Sequence, residues 1–239
     1  MNSSELKGFL TGLIIGDGYI DSGITARSFR IKSIHKDYIR YIESELRSST
    51  NFNISVKHFD QCVRDGVNHK EYWELTIKSH PYFAKKYHHF YDDNRHRIIS
   101  PLAMQWLNER GLANWYMSDG YVCLVGKESN NIYNRRVEIC TDRYNKRTIM
   151  RLQNILYKKF YIESSIIKRG NRYRLRIRTN SYCQFIRLIL PYMVPSMLYK
   201  LYLGYDMQPM WMPDDIWELQ LRLRSAMTLA GNAEGHDIV

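Results

Sequence analysis

The sequence predicts an α+β protein built from two pseudo-symmetric halves, each running αββαββα. Three observations predict it. LTGLIIGDG, from Leu10 to Gly18, returns about a hundred residues later as LANWYMSDG, from Leu112 to Gly120. Each copy is followed by Tyr and an aliphatic residue, Tyr19-Ile20 and Tyr121-Val122. After each copy the same succession of period-2 and period-3.6 hydrophobic patterns recurs, the signature of strands and then a helix. Each half is expected to form an antiparallel sheet covered on one face by helices.

Taken in order, each motif copy reads as the buried end of a helix, with Gly18 and Gly120 as C-terminal stops. A hairpin follows each: GYIDSGITARSFRIKSI turning at Ser22-Gly23, and GYVCLVGKESNNIYNRRVEICT around a polar turn. Lys36 to Ser48 then places Tyr38, Ile39, Ile42 and Leu46 on one helical face. Lys146 to Phe160 does the same with Ile149, Leu152, Ile155, Leu156 and Phe160. The second hairpins are NISVKHFD with KEYWELTIKS, around a polar loop at Arg64 to Asn68, and SSIIKRGNRYRLRIRT, turning at Gly170-Asn171. Helices over Tyr82 to Tyr91 and Ser181 to Leu190 close the halves. The expected organisation is a first half over 1–94, a linker over 95–108 containing Pro101, a second half over 109–201, and an acidic extension over 202–239. In the extension, Pro213-Asp214-Asp215 can start a helix over Ile216 to Leu229 that packs on the back of the fold.

The 239 residues are 44% hydrophobic, enough for a proper core, and the net charge is +11. That charge is uneven. Residues 1–100 carry 15 Lys/Arg against 12 Asp/Glu, residues 101–200 carry 18 against 6, and residues 201–239 carry 2 against 6. A concentrated basic segment in a folding chain points to a polyanion, and its strand-like periodicity favours nucleic acid over a membrane surface. No apolar run is long enough for a membrane span, and MNSSELKGFL lacks the features of a signal peptide, so an intracellular location is expected. Cys62, Cys123, Cys140 and Cys183 show no paired spacing, which argues against a disulfide scaffold or a zinc site. His35, His58, His69, His80 and His88-His89 form no metal-ligand spacing, and no Ser-His-Asp or Cys-His nucleophile is legible.

In NRYRLRIRT, Arg172, Arg174, Arg176 and Arg178 alternate with Tyr173, Leu175 and Ile177. On a strand the arginines share one face. Four neighbouring cations repel unless an anion lies over them, and this face carries no acid of its own strand. Phosphates and guanine edges fit such a face. Lys168 and Arg169 lie across the turn, Arg30 and Lys32 form a weaker version in the first half, and Arg136 lies in the matching hairpin. The candidate DNA-contacting set is Arg27, Arg30, Lys32, Lys57, Lys78, Arg135, Arg136, Lys168, Arg169, Arg172, Arg174, Arg176 and Arg178. Two curved sheets side by side would form one long basic saddle. If about eight phosphates are contacted, log affinity falls against log salt with a slope near −7.

The aspartates of the two motifs are awkwardly placed. A carboxylate in the last helical turn faces the negative end of the helix dipole, at a cost of a few tenths to roughly 1 kcal/mol. Gly12, Gly16, Gly18, Ala113 and Ser118 allow the two motif helices to approach closely. Packed side by side in one direction, they bring Asp17 and Asp119 together, where both being ionised is strongly disfavoured. An oxygen-loving divalent metal relieves that repulsion and takes phosphate oxygens as its further ligands. Metals so held suit in-line phosphodiester displacement.

LTGLIIGDG and LANWYMSDG resemble the paired signature of the LAGLIDADG homing endonucleases, in the single-chain form with two motifs. The spacing, the two hairpins after each motif and PYMVPSMLYKL (Pro191 to Leu201) are similar to that family as well, over roughly residues 5–201. The resemblance implies a monomer whose hairpins hold the major groove of double-stranded DNA while central acids cut both strands of a long site across the minor groove, leaving 3′ overhangs. It implies Asp17 and Asp119 as metal ligands, helped by the backbone carbonyls of Gly16 and Ser118. The implied metal is Mg²⁺, with Mn²⁺ able to substitute and Ca²⁺ supporting binding only. It implies Lys200 near the scissile phosphate, polarising solvent or stabilising developing charge. The first-half counterpart falls in NRHRII, where Arg97 is the choice and Arg95 and His96 are its alternatives; the family more often has Lys there. The second motif also departs from the first in carrying Asn114 where the first has Gly12, which would loosen the helix seam. The family also contains maturases that bind intron RNA and DNA-binding regulators without catalysis. Retention of both acids speaks against the regulator. The Met1 start and the lack of splice-type termini speak against a nuclease embedded in an intein.

Overall fold

The structure, a computed structural model, describes residues 1–21, 27–64, 67–124, 135–201, 212–222 and 225. Helix α1 (Ser3–Ile15) starts at Asn2, whose side chain accepts from the Ser4 and Glu5 amides while Glu5 reaches back to the Asn2 amide. This reciprocal box satisfies amides that the first turn leaves unpaired. Strands β1 (Tyr19–Ile20) and β2 (Arg27–Ser33), helix α2 (Lys36–Ser49), strands β3 (Ile54–Phe59), β4 (Cys62–Arg64), β5 (Val67–His69) and β6 (Tyr72–His80), and helix α3 (Pro81–Lys86) complete the first half. Helix α4 (Pro101–Trp106) lies in the connection. The second half is α5 (Glu109–Asp119), β7 (Gly120–Leu124), β8 (Arg135–Cys140), α6 (Lys146–Phe160), β9 (Ser164–Arg169), β10 (Arg172–Ile177) and α7 (Tyr182–Ile189). A last helix, α8, covers 214–222.

The two four-stranded antiparallel sheets have matching orders, β1-β2-β6-β3 and β7-β8-β10-β9. The pseudo-symmetry expected from the repeat is therefore present strand for strand. In each sheet the alternation puts an apolar set against the helices: Phe29, Ile31, Leu75 and Ile77 in the first, Val137, Ile139, Leu175 and Ile177 in the second. The helices answer with buried Tyr38, Ile39, Ile42 and Leu46 on α2, and Ile149, Leu152, Leu156 and Phe160 on α6. The opposite faces of both sheets carry the polar residues.

Between the halves run α1 and α5. From Phe9 to Ile15 and from Leu112 to Met117 every residue is buried, so these helices are apolar nearly all round, as central helices must be. Their backbones nearly touch. A Cβ added at Gly12 would stand 1.9 Å from the Gly111 carbonyl oxygen, and one at Gly111 would stand 2.2 Å from that of Gly8. Further along, a Cβ at Gly16 would meet the Ser118 side chain at 2.6 Å. The contacts run 8 to 111, 12 to 111 and 16 to 118, so the helices point the same way and finish at the same pole.

Several expectations are corrected. Helix α1 ends at Ile15 with Gly16 as its cap, so Asp17 lies just past the last turn; Asp119 is the final residue of α5. Neither Gly18 nor Gly120 is a left-handed stop. They are glycines for space, since a Cβ would meet the Leu13 carbonyl oxygen at 2.6 Å and the Tyr116 ring at 2.1 Å respectively. The mate of Gly12 in the seam is Gly111, one turn before Asn114. Asn114 is fully buried; its backbone carbonyl accepts from the Tyr38 hydroxyl, and its side-chain amide has no hydrogen-bond partner among the described residues. The loop expected at Arg64 to Asn68 overlaps the ends of two paired strands, β4 and β5. The first closing helix gives way after Lys86 to a 3-10 turn, Tyr87–His89. The turn at Ser22-Gly23, the polar turn over 125–134 and the helix beyond 222 lie outside the described residues.

Overpacking a fitted seam typically costs about 1–3 kcal/mol, and each kcal/mol lowers Tm by about 2–4 °C in a chain of this size. Gly12→Ala is therefore expected to melt several degrees lower than the parent in a thermal scan, whereas Lys7→Ala, outside the seam, is expected to melt unchanged.

Candidate active site and nucleic-acid face

Because α1 and α5 finish together, two helix C-termini and two aspartates share one pole. The negative ends of both dipoles and both carboxylates would repel, and three cations answer them. Arg97 donates from Nη1 to the carbonyls of Ile14 and Gly16, both at 3.0 Å, and from Nη2 to that of Gly18 at 2.6 Å. Lys200 occupies the equivalent place on α5, with Nζ 2.5 Å from the Met117 carbonyl and 3.0 Å from that of Ser118. Arg143 donates to the Gly16 carbonyl at 3.2 Å and to Asp17 Oδ1 at 3.0 Å. Of the three first-half candidates, Arg97 is thus the one on the helix end. A bridge between Tyr91 and Arg97 aims it there, while Arg95 takes the left-handed turn (φ 64°) and His96 faces Asp92, 77% exposed.

Two tyrosines cross between the halves. Tyr38, on α2 of the first half, donates to the Asn114 carbonyl on α5 at 3.2 Å and lies 3.4 Å from Ser118 Oγ. Tyr144, before α6 of the second half, donates to the Ile15 carbonyl on α1 at 2.8 Å. Each half therefore fixes the other half's motif. Sequence reading missed both tyrosines and Arg143. The only signal for Arg143 is its place in ICTDRYNK, directly after the first hairpin of the second half, where the first half has His35.

The Asp119 carboxyl is pushed up to about 7, by burial first and by Asp17 second, with Arg143, Lys200 and Arg97 pulling the other way. Lys200 is held below the ordinary ammonium range by burial, against the pull of Asp17 and Asp119. A cavity of about 400 Å³ is lined by Asp17, Lys32, His35, Tyr38, Ser118, Tyr199 and Lys200. A neighbouring one of about 480 Å³ shares Asp17 and Lys32 and adds Tyr19, Arg30, Glu74 and Arg143. The donors are all hard oxygens, two carboxylates and the Gly16 and Ser118 carbonyls, the set that suits Mg²⁺ completed by phosphate oxygens and water. A divalent cation relieves the repulsion of two carboxylates at one pole, so the residues fit such an ion. The Gly16 and Ser118 carbonyls, expected as ligands, here accept from Arg97, Arg143 and Lys200.

The outer faces of the sheets flank this pole. On the first lie Arg30 and Lys32 of β2, Lys57 of β3, and Glu74, Thr76 and Lys78 of β6, by register and alternation. Lys32 pairs with Glu74 at 3.2 Å. Arg27 departs from this face: a register shift after it turns its guanidinium onto the Tyr87 ring, 3.3 Å from the centroid, and to the Asp21 carbonyl. On the second sheet Arg169, Arg172, Arg174 and Arg176 share the outer face with Arg136, since Arg176 stands opposite Glu138 and Arg174 opposite Cys140. Lys168 stands opposite Tyr173, on the helix-facing side with Ile166, and so leaves the arginine face. Arg178 lies at the sheet edge near Glu163, 3.5 Å away. The side chain of Arg135 lies outside the described residues.

The arginine face is not free of acids. Glu138, wholly buried, pairs with Arg176 at 2.8 Å and Arg169 at 3.0 Å and accepts from the Tyr121 hydroxyl. Burial would raise its carboxyl, but these hydrogen bonds outweigh burial and hold it below the usual range. Asp142 grips Arg174 through both oxygens, at 3.2 and 3.0 Å. The reason is cross-strand: the acids stand on β8 and just after it, invisible from the β10 alternation. Arg174 and Arg176 are thereby fixed in direction, while Arg172 stays 67% exposed.

For Asp119 the sign is clear. Its carboxyl titrates near 3.8 when free and near 7 when folded. Folding thus favours the protonated form, and the resulting destabilisation is absent below about pH 4, grows from 4 to 7, and is complete above 7. In metal-free buffer, Asp119→Asn is expected to raise Tm at pH 8 by at least about 3 °C, with the gain fading by pH 4; a thermal scan of both proteins across that range checks it.

The profile of the LAGLIDADG DNA endonuclease family matches residues 7–185. A probable intron-encoded endonuclease of Wickerhamomyces canadensis is 28% identical over 80% of this chain and 81% of its own. The DNA endonuclease I-ChuI of Chlamydomonas applanata is 24% identical over 83% of this chain and 94% of its own. Among solved structures, the homing endonuclease I-WcaI bound to its DNA recognition sequence superposes with a TM-score of 0.71 at 25% identity, over 85% of this chain and 88% of that one. Two glycine-packed motif helices with Asp17 and Asp119 at their C-terminal ends, one just past the last turn and one within it, repeated sheets in matching order and a profile match over most of the chain make this protein a member of the LAGLIDADG DNA endonuclease family.

Proposed function

We propose that this chain is a site-specific homing endonuclease that cleaves both strands of a long double-stranded DNA target as a monomer, with Mg²⁺ at the motif acids. The observation that carries the reading is the shared pole: two carboxylates and three cations between two sheets whose outer faces are rich in Arg and Lys. Asp17 and Asp119 would hold the metal. When bound, Mg²⁺ activates water and stabilises the leaving oxygen of the phosphodiester. Lys200 and Arg97 stand where charge develops on the scissile phosphates, and fixed cations there cost no reorganisation during the reaction. Arg143 is the group that must move. For Asp17 to ligate, its guanidinium leaves the carboxylate, and the incoming phosphate is its natural new partner.

The sheets supply recognition. Arg174 and Arg176, oriented by Asp142 and Glu138, are suited to base edges, whereas Arg30, Lys57, Lys78 and Arg172 are suited to phosphates. The acids hold the arginines against mutual repulsion until DNA arrives.

Two outcomes test this reading. Incubated with a DNA library spanning its own coding locus and flanks, the protein is expected to make a discrete double-strand cut in Mg²⁺ and to bind without cutting in Ca²⁺. Asp17→Asn and Asp119→Asn are each expected to abolish the cut or reduce it to nicking; binding without cutting in Mg²⁺ would overturn the nuclease reading. Arg143→Ala is expected to slow cleavage by about 10²-fold while DNA affinity shifts by less than about tenfold; single-turnover rates beside gel-shift titration check it.

A further inference from the structure

The outer faces of the two sheets are equivalent in topology yet differ in chemistry. The first carries Arg30, Lys32, Lys57 and Lys78, a single arginine among lysines. The second carries Arg136, Arg169, Arg172, Arg174 and Arg176, all arginines. Two of these are held in a way that leaves one edge of the guanidinium open. A guanidinium has five N–H donors in a planar fork. Asp142 takes Arg174 from the side, through Nε at 3.2 Å and Nη2 at 3.0 Å, while Nη1 donates to the Tyr121 hydroxyl at 2.9 Å. One N–H remains on each terminal nitrogen. Glu138 takes Arg176 from the side as well, through Nε at 3.1 Å and Nη2 at 2.8 Å, so the same end-on pair remains. Two parallel N–H groups in a fixed direction match the O6 and N7 acceptors of guanine in the major groove.

The first face offers something else. Phe59 of β3 stands opposite Tyr72 of β6, with ring centroids 4.8 Å apart and planes 12° apart. Alternation along β6 puts Tyr72 on the same side as Glu74 and Thr76. Lys32 fixes that side as the outer one, with Nζ 4.9 Å from the Tyr72 ring centroid and 3.2 Å from Glu74. The Thr76 hydroxyl donates to Glu74 at 3.3 Å, which leaves the methyl as its unengaged group. Rings and a methyl gain nothing from phosphates. In the major groove their match is the methyl group of thymine, which no other base carries. The second outer face has no stacked ring pair among the described residues, and Ile167, opposite Arg174, is its one aliphatic side chain there.

We propose that the DNA target is chemically polarised: the second half reads guanines through Arg174 and Arg176, and the first half reads thymine methyl groups through Phe59, Tyr72 and Thr76. This polarity rests on the duplex binding proposed above, and it is independent of cleavage.

The test uses the full chain and the duplex recovered from a random-sequence DNA library by repeated binding in Ca²⁺, so that affinity is read without cutting. In one flank of that duplex, deoxyuridine in place of thymidine removes only the methyl groups and is expected to weaken binding by at least about fivefold. In the other flank, 7-deazaguanine removes only the N7 acceptor and is expected to weaken binding by at least about tenfold. Each analogue placed in the opposite flank is expected to cost less than about threefold. Phe59→Ala, and Thr76→Ser with its hydroxyl kept, are each expected to reduce the sensitivity to uracil and to leave that to 7-deazaguanine unchanged. Arg174→Lys, which keeps the charge and loses the fork, is expected to do the reverse. Equal sensitivity of both flanks to either analogue, or uracil sensitivity unchanged in both first-half variants, would overturn the polarity alone. Recovery of no specific duplex would overturn the polarity and the DNA-binding reading together.

Discussion

At Gly12 the backbone of one motif helix comes so near the other that a methyl group would stand 1.9 Å from the Gly111 carbonyl oxygen. Everything that makes a site here follows from that approach. Only paired backbones without side chains between them let two parallel helices run in contact, and only contact brings their ends to one pole. The seam itself is buried from Phe9 to Ile15 and from Leu112 to Met117, and at its end Asp119 is half-buried while Asp17 is exposed. Burial pushes Asp119 up to about 7.

The consequence is an electrostatic problem that the fold solves symmetrically. Two helix C-termini and two carboxylates concentrate negative charge. Arg97, arriving after α3, and Lys200, arriving after α7, each sit on one helix end, as the pseudo-symmetry requires. Tyr38 and Tyr144 cross the interface to the opposite motif. Arg143 breaks the symmetry, touching both Gly16 and Asp17. The pole is thus balanced by the chain's own cations, Arg143 on Asp17 and Arg97 and Lys200 on the two helix ends.

Much of this was legible from residues alone. The echo of LTGLIIGDG in LANWYMSDG located both motif helices, and the hairpins after each copy foretold two equivalent antiparallel sheets, whose strand order came only from the structure. α6 falls at Lys146 to Phe160, as its periodicity indicates. What escaped depended on partners distant in sequence. Glu138 and Asp142 neutralise arginines on another strand, so the alternation of NRYRLRIRT looked unopposed. Lys168 and Arg27 were assigned to the basic face by proximity and charge, but strand register and a bulge turn them away. Gly111 was overlooked as the seam residue because motif alignment pairs Gly12 with Asn114, whereas the helices pack with an offset of about one turn. Arg143 offers only its place directly after a hairpin, in ICTDRYNK.

The account stands on an exposed Asp17 and a half-buried Asp119 sharing one pole. The most direct measurement is a titration of the aspartate side-chain carboxyls by carbon NMR in the metal-free protein, beside the Asp17→Asn variant. The account predicts one carboxyl, assigned to Asp119, with a midpoint near 7 that falls when Asp17 is neutralised, since Asp17 is the second cause of its elevation. A midpoint near 4 for Asp119, or one indifferent to Asp17, would contradict it.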